Sequence, residues 1–235
     1  MVAAELGDGV APADEVPAAV ALFRQQYRAE HIGPSYSGWL HFAFTSVGSL
    51  AAVGFALARV RSPTALELAV VPLTLVFANF VEYRGHRGPL HHRRRGLALL
   101  FERHTQQHHR YYTHEAMAFE ASRDFKVVLF PPVMLVFFLG VIAMPVALAL
   151  SAFVSRNAAM LFVATAVGYF LLYEWLHFCH HMPEHGAFAR SWLLRRLRAH
   201  HQAHHDLARM RSGNFNITFP LCDWLFGTII RAPRS

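Results

Sequence analysis

Cysteine is scarce in this chain of 235 residues: the two present, Cys179 and Cys222, are far apart and in no spacing that suits a metal site. A disulfide framework is therefore excluded, and a reducing, cytosol-facing environment is the simpler expectation. Charge is scarce as well, because 16% of the residues are charged and 54% are hydrophobic, whereas roughly 25% are charged in soluble domains. This composition argues against a disordered chain and against a typical water-soluble globule.

The N-terminal residues lack a targeting pattern. The segment MVAAELGDGVAPADEVPAAV is acidic and has no basic stretch before an apolar core, so we expect no cleavable signal peptide. Residues 1–35 are predicted to form a tail and an interfacial helix, because residues 15–30 combine apolar and basic side chains in a way that suits a membrane surface. We assign residues 36–235 to one membrane domain.

Four long apolar stretches are present, each bounded by charge. Residues 36–58, 127–155 and 157–173 contain no Asp, Glu, Lys or Arg, and residues 62–81 contain only Glu67. A helix needs about 20 residues to cross the hydrocarbon layer. We therefore predict four crossings, at about 36–58, 62–81, 133–153 and 157–176. The third begins after two consecutive prolines and is kinked near Pro145. The predicted fold class is all-α, an integral membrane four-helix bundle with a histidine-rich helical cap at 82–126 and 177–230.

The 22 basic residues are divided unequally between the two ends of this predicted bundle. Nineteen belong to the N-terminal arm and the histidine-bearing segments, and three (Arg59, Arg61 and Arg156) lie at the other end. Because cytoplasmic loops are enriched in Lys and Arg, we predict that the histidine cap and both termini are cytoplasmic. The net charge of +7 also invites a nucleic-acid interpretation. A basic cytoplasmic edge explains the charge equally well, and we expect no nucleic-acid partner.

Histidine is abundant and clustered, since 15 of the 17 lie in two windows, residues 86–114 and 177–205. Crossings three and four separate the windows, so both emerge on the same side of the membrane. Four boxes with the spacings H-x4-H, H-x3-HH, H-x2-HH and H-x2-HH contain the candidate metal ligands: His86, His91, His104, His108, His109, His177, His180, His181, His201, His204 and His205. On an α-helix, His104 and His108 share a face, while His109 is turned about 100° toward a neighbouring ligand set.

The number of histidines predicts two metal ions, because it exceeds the roughly four to six ligands that one ion accepts. Neutral imidazole binds Zn, Fe, Cu and Ni and is mostly deprotonated at cytosolic pH. A purely structural role is the alternative, although converging rings without metal attract each other little. Nearby carboxylates are candidates for orienting the imidazoles, although a surface or helix-end position is the more common role for each: Glu82, Glu102, Asp124, Glu174 and Asp206. The remaining histidines are not assigned as ligands: His31, His41, His92, His114, His185 and His200.

These boxes resemble the histidine boxes of the fatty acid hydroxylase and sterol desaturase superfamily. The ending, Asn214-Phe215 followed by LCDWLFGT at residues 221–228, is similar to that superfamily's NFG…WDxLFGT ending. The stretches RRLRAHHQAHH and VLFPP look closest to the fatty acid 2-hydroxylase branch. The resemblance covers about residues 81–228, and Asn216 departs from it by standing where glycine is usual.

The resemblance implies an integral membrane, non-haem dimetal oxygenase that uses O2 and two electrons to hydroxylate or desaturate a lipid acyl chain. It implies two metal ions held by the candidate histidines, with iron expected and zinc possible after isolation. His180 competes with His181, because the third box varies in the superfamily. No haem-binding electron-carrier domain is attached, so the electrons are expected from a separate protein, and the lipid substrate is expected to enter from the bilayer.

Three alternatives stay open at this point. The first is a carotenoid or sterol hydroxylase of the same superfamily, because a hydrophobic channel would suit those lipids too. The second is a non-catalytic membrane protein whose dimetal site only holds the cap together. The third is a metal transporter, which is disfavoured because transport ligands lie inside crossings and these crossings have almost none.

Overall fold

The computed structural model describes residues 16–184 and 191–230, and every regular element in these ranges is helical, which confirms the predicted all-α class. The α-helices, in chain order, are α1 (Ala18–His31), α2 (Gly38–Ala58), α3 (Ala65–Leu68), α4 (Val70–Gly85), α5 (Ala98–Phe101), α6 (His109–Tyr111), α7 (Phe125–Val128), α8 (Val133–Phe137), α9 (Met144–Phe153), α10 (Arg156–His180), α11 (Trp192–His204) and α12 (Leu221–Leu225). Between them lie the π-helical turns His86–Leu90, Glu102–His108 and Phe138–Ala143 and the 3₁₀ turn Ser122–Asp124.

Four helical segments in the described ranges are long and apolar enough to cross a membrane, as the sequence predicted. They are Gly38–Ala58, Ala65–Leu90, Ser122–Phe153 and Arg156–His180. The second and fourth run further toward the histidines than the apolar stretches alone suggest. They do so because the helical backbone continues past the last apolar residues into the histidine boxes, through the π turn His86–Leu90 and the last turn of α10.

The fourth crossing, α10, is the centre of the bundle and packs against α2, α4 and α9. Small buried residues, among them Ala158, Ala159 and Ala164, allow close approach of the neighbouring helices. A polar contact adds to this packing, since Trp175 Nε1 donates to Ser46 Oγ at 3.0 Å. The outward faces of the helices are apolar, as expected where lipid replaces water as the solvent.

The third crossing is interrupted in the way its prolines dictate. The chain leaves α7, passes through the prolines at 131 and 132, and enters α8. The π turn Phe138–Ala143 then precedes Pro145, which lies in the first turn of α9. Proline has no N–H for the helical ladder, and a widened turn accommodates that loss without ending the helix.

Helix α1 is attached to the cap by a buried arginine, whereas residues 1–15 of the predicted tail lie outside the described ranges. The Arg24 side chain is 1% exposed and donates to the carbonyl oxygens of Tyr111 (2.9 Å) and Ala116 (2.6 Å). It also forms an ion pair with Glu120 at 2.6 Å. Helix α1 therefore fixes the loop that follows α6, and this loop contributes to the site described next.

Candidate metal centre

Ten of the eleven candidate histidines meet in two groups of five, and all ten are buried. Site A consists of His86, His91, His104, His109 and His204. Site B consists of His108, His177, His181, His201 and His205. Within each site, one nitrogen from every ring lies within 4.8 Å of the others. The sites adjoin, because the ring of His109 stacks on the ring of His205 with their centroids 4.3 Å apart.

Helix α11 contributes to both sites because of its periodicity. Residues four apart share a helix face, so His201 and His205 both enter site B, where their Nε2 atoms are 3.0 Å apart. His204 lies between these two residues in the chain and is on another face of the helix. It enters site A, where its Nε2 lies 3.0 Å from that of His91. The end of α10 follows the same rule, with His177 and His181 both in site B.

The H-x3-HH box differs from the α-helical expectation. His104 shares site A with His109, their Nε2 atoms 3.1 Å apart, and not with His108. The reason is that Glu102–His108 is π-helical, and the wider turn brings residues five apart together. His108 is thereby turned into site B, where its Nε2 lies 3.1 Å from that of His177.

His180 lies outside both sites. It is fully buried, but its Nε2 faces the carbonyl oxygen of Ile217 at 3.1 Å. Its neighbour His181 enters site B instead, with Nε2 3.2 Å from that of His201. Of the two histidines that compete for this position, the structure brings His181 to the group. None of the other described histidines belongs to either site, and His185 lies outside the described residues.

Backbone carbonyl oxygens orient half of the imidazoles from behind, at Nδ1–oxygen distances of 2.5 to 2.9 Å. The pairs are His86 with Phe215, His108 with Val127, His181 with Met117, His204 with Gly213 and His205 with Tyr112. A carbonyl oxygen only accepts hydrogen bonds, so each Nδ1 carries the hydrogen and each Nε2 presents its lone pair to the site.

The spacing of these lone pairs fits bound metal ions. Six Nε2–Nε2 distances within the sites lie between 2.8 and 3.2 Å. A cation among these nitrogens would allow both rings of each pair to direct an Nε2 lone pair inward at this short distance. Two imidazole ligands at roughly 2.1 Å from one ion and at a right angle are about 3.0 Å apart. The nitrogen donors thus match one ion in each site, so all ten histidines serve as ligands only when two ions are bound.

Burial keeps the imidazoles in the form that binds metal. Desolvation lowers the pKa of each site histidine outside the crossings: His91, His104, His108, His109, His181, His201, His204 and His205. For His108 the pKa falls to about 4. Neighbouring histidines lower it further in several cases, because each cation would repel the next. At neutral pH these rings are uncharged ligands.

The carboxylates considered as orienting partners have other contacts. Asp124 pairs with Arg28 at 2.8 Å, and Glu174 accepts from the backbone N–H of Phe130 at 3.2 Å. Glu102 faces Arg93, and Asp206 faces Arg209. Glu82 accepts from the backbone N–H groups of Ile217 and Thr218. It therefore holds the C-terminal segment that supplies two of the orienting carbonyls.

That C-terminal segment contains structural determinants of the site that the histidine spacing did not reveal. The carboxylate of Asp223 accepts from the backbone N–H groups of Phe215 (2.9 Å) and Asn216 (2.7 Å) and from Thr228 Oγ1 (2.6 Å). This folds the tail into a turn whose carbonyls face His86 and His204. Gly213 is needed at its start, because a Cβ there would overlap the carbonyl oxygen of Thr228. The available signal was Asp223 and the FGT of residues 226–228 in the ending.

An apolar cavity of about 360 Å³ lies among α4, the third crossing and α10, and it reaches His86 of site A. The ring of His86 from site A is part of its wall. Its apolar lining includes Phe77, Phe138, Phe162 and Phe170. From Thr74 to His86 the lining follows twelve residues of helix, or about 18 Å at 1.5 Å per residue.

A second, smaller cavity of about 130 Å³ joins the same region and passes both sites. His104 of site A and His108 and His177 of site B lie on its wall. It shares Leu90, Leu100, Phe130, Met134 and Tyr173 with the larger cavity. At its far end it meets polar groups, namely Tyr27, Arg103 and Gln107.

The fold and the site together define a class: membrane-embedded helical proteins with a histidine-ligated dimetal centre. The family model described as fatty acid hydroxylase matches residues 71–228, more than half of the chain. The chain therefore belongs to the fatty acid hydroxylase family, which confirms the resemblance noted from the boxes. The family makes it a lipid hydroxylase, and its two histidine groups fit a dimetal site.

The solved structure of full-length Scs7p, in which only the hydroxylase domain is visible, has a similar fold, with a TM-score of 0.57. The two sequences are 20% identical, and the match covers 85% of this chain and 70% of that one. At this identity the likeness supports the fold alone. A search of curated protein sequences found no significant match.

Proposed function

We propose that the protein hydroxylates the acyl chain of a membrane lipid at a centre of two iron ions, one in each histidine site. One atom of O2 enters a C–H bond as a hydroxyl group, and the other leaves as water with two electrons and two protons. A separate protein delivers the electrons. The observation that carries the proposal is the apolar cavity between the crossings that ends at His86.

The ten histidines of sites A and B are the proposed ligands, and His180 is not among them. A bound metal pair supplies the redox chemistry that activates O2. The chain itself supplies orientation and the exclusion of water. Carbonyl oxygens fix the imidazoles, the aromatic walls of the larger cavity hold the chain extended, and the buried cap closes over the reacting carbon.

The arrangement of the two cavities suggests which end of the lipid reacts. The larger cavity suits a hydrocarbon chain, and the smaller one leads past both sites to the side chains of Arg103 and Gln107. A lipid with its polar end at those side chains has its first few carbons beside the histidines and its methyl end deep in the bundle. We therefore propose oxidation near the polar end of the chain.

We also propose that the histidine centre faces the cytoplasm. The histidines lie at the end of the second and fourth crossings, the end at which 19 of the 22 basic residues are grouped along the sequence. Cysteine accessibility to a membrane-impermeant reagent tests this, with one cysteine introduced at exposed Arg94 and one at exposed Arg156 in a variant lacking Cys179 and Cys222. In sealed cells only the Arg156 position should react, and reaction at the Arg94 position alone would reverse the topology.

Isotope labelling tests the reaction. Cells that express the protein are grown under ¹⁸O2, and their lipids are compared by mass spectrometry with those of cells without it. The proposal predicts one ¹⁸O in each new hydroxyl group, located by fragmentation close to the carboxyl or amide end. A hydroxyl oxygen derived from water, a hydroxyl at the methyl end, or loss of two hydrogens without oxygen would contradict it.

A further inference from the structure

The end of the bundle remote from the histidines has a polar recess that the hydroxylase chemistry does not use. It has a volume of about 470 Å³ and is lined by Arg59, Arg61, Glu67, Ser155, Arg156 and Asn157. Helix α10 separates it from the metal centre by 25 residues, or about 37 Å at 1.5 Å per residue. The three arginines are the three basic residues assigned to this end of the sequence, and all of them line this one recess.

The one carboxylate in the recess does not neutralise these arginines. Glu67 accepts from Ser155 Oγ at 2.5 Å, from the backbone N–H of Thr64 at 2.7 Å and from Asn157 Nδ2 at 3.3 Å. All of these donors are uncharged. No carboxylate of the described residues forms an ion pair with the three guanidinium groups. The recess therefore has a net charge of about +2 with five N–H donors on each guanidinium.

The walls of the recess are held in place by contacts that leave the guanidinium groups available. Asn157 joins the two loops, accepting from the backbone N–H of Arg61 at 2.9 Å and donating to its carbonyl oxygen at 2.8 Å. The guanidinium of Arg59 lies over the ring of Phe55 at 4.6 Å from its centroid. Arginines convergent on one recess suit an anion with several oxygens, and the planar guanidinium matches phosphate in particular.

Apolar side chains beside the recess indicate what kind of molecule carries such a phosphate. Phe153 is 88% exposed and Leu66 is 81% exposed. Leu66 directly precedes Glu67, and Phe153 lies two residues before Ser155, at the end of the third crossing. We infer that the recess formed by Arg59, Arg61 and Arg156 binds a phosphate group, supplied by the headgroup of an anionic phospholipid whose chains lie against these side chains. The protein thus has a second lipid contact at the end of the bundle away from its metal centre.

Native mass spectrometry of the full chain in detergent tests this inference. The probes are phosphatidylglycerol, phosphatidylcholine and inorganic phosphate, each titrated against wild type and against the triple variant Arg59→Gln, Arg61→Gln, Arg156→Gln. Wild type should retain one more phosphatidylglycerol than the variant, whose affinity falls at least about tenfold with the loss of charged hydrogen bonds. The matched control removes three exposed arginines from the histidine end, Arg93→Gln, Arg94→Gln and Arg95→Gln, and should keep the retained lipid.

Each outcome decides the matter. Retention of phosphatidylglycerol in preference to phosphatidylcholine supports a headgroup as the source of the phosphate. Binding of inorganic phosphate without displacement of lipid supports a phosphate site in the recess but identifies the free anion, and not a lipid headgroup, as its ligand. A triple lysine variant, which keeps the charge but not the guanidinium, should bind more weakly than wild type. Equal retention by wild type and the glutamine variant overturns the inference, provided that the variant keeps its metal content and is therefore folded.

Discussion

At the scale of single residues, the site depends on which nitrogen of each imidazole carries the hydrogen. Backbone carbonyls bind the Nδ1–H of His86, His108, His181, His204 and His205, so the Nε2 lone pairs converge. A histidine in a box can be counted from the sequence, but its tautomer depends on a carbonyl that is often far along the chain. His86, for example, is oriented by Phe215, 129 residues later.

Replacing His204 by alanine should empty site A and abolish product formation. Its Nε2 lies 3.0 Å from that of His91, and the site A group contains no sixth His, Cys, Asp or Glu among the described residues that could replace it as a ligand. We expect metal content to fall from two ions per chain to one or fewer and the hydroxylated lipid to fall below detection, because the ions act as a unit. Elemental analysis and lipid mass spectrometry of the same preparation measure both.

His180→Ala is the matched control for that variant, since it removes an equally buried imidazole that lies outside both sites. It should keep two ions per chain. His114→Ala, at an exposed position, controls for the substitution without any loss of packing. Metal loss in His180→Ala equal to that in His204→Ala, with His114→Ala unaffected, would show that the assignment of ligands is wrong.

At the scale of elements, the C-terminal turn is a support for two ligands. Asp223 accepts four hydrogen bonds, two from backbone N–H groups, one from Thr228 and one from His200. An amide in its place would turn a donor toward at least one of those N–H groups. Asp223→Asn should lower the free energy of unfolding by about 1–3 kcal/mol and weaken metal binding by roughly 10- to 100-fold.

Thermal unfolding and metal titration measure these two effects of Asp223→Asn. Trp224→Phe, at an exposed position in the same turn, is a suitable comparison because its side chain faces away from the site. It should change neither quantity. An Asp223→Asn protein with the affinity of wild type would show that the turn does not position the ligands.

The larger cavity makes a prediction at the same scale. Gly85 lines it next to His86, has helical backbone angles and has open space where a Cβ would lie. Gly85→Leu should therefore fold and keep its metal but fill the part of the cavity nearest the ligands, so that long acyl chains bind poorly. We expect the yield of hydroxylated lipid to fall at least about tenfold, equivalent to roughly 1.4 kcal/mol of lost binding or positioning.

Gly54→Leu is the control for this change, because a Cβ at Gly54 would also meet open space but lies on an exposed face of α2. It should leave the product yield unchanged. Equal yields from Gly85→Leu and wild type, both with two metal ions per chain, would show that the substrate does not occupy this cavity.

The helices were more predictable from the sequence than the local geometry of the boxes. Long uncharged stretches allow few structures other than crossings, so four of them were evident. The π turn at Glu102–His108 was not, because hydrophobic spacing says little about a single widened turn. It decides that His104 joins His109 and not His108. The carbonyl partners of the imidazoles were equally hidden, because every residue has a carbonyl group.

At the scale of the whole molecule, the buried histidines make stability depend on pH. Burial lowers their pKa below the ordinary value near 6.5, to about 4 for His108. Between these values the unfolded chain binds protons that the folded chain does not, so the free energy of unfolding falls as the pH falls. For each such histidine the slope reaches about 1.4 kcal/mol per pH unit.

Melting temperature measured from pH 8 to pH 4 tests this dependence. It should be nearly level above pH 7 and decline from about pH 6.5 downward, by at least roughly 2–4 °C per pH unit in a chain of this size. The variant His114→Ala, which removes an exposed histidine, should show the same profile. A melting temperature that rises on acidification through this range would contradict the buried neutral state of the rings.

In the proposed function, the membrane bundle would hold the lipid and the cap would hold the metal ions. The second and fourth crossings bring His86 and His177 to the same end of the bundle, and α11 contributes histidines to both sites. Helix α1 binds the loop that follows α6 through Arg24. Neither site can form from one histidine window alone. This explains why the two windows are separated by a pair of crossings that returns the chain to the same side.

The central claim is that ten histidines hold two metal ions that together oxidise a lipid. Its most direct test is the titration of metal-depleted protein with iron, in which bound iron per chain and hydroxylated lipid are measured on the same samples with an electron donor present. The account predicts that product formation rises with iron and reaches its maximum at two ions per chain. Full product formation with less than one metal ion per chain would contradict it.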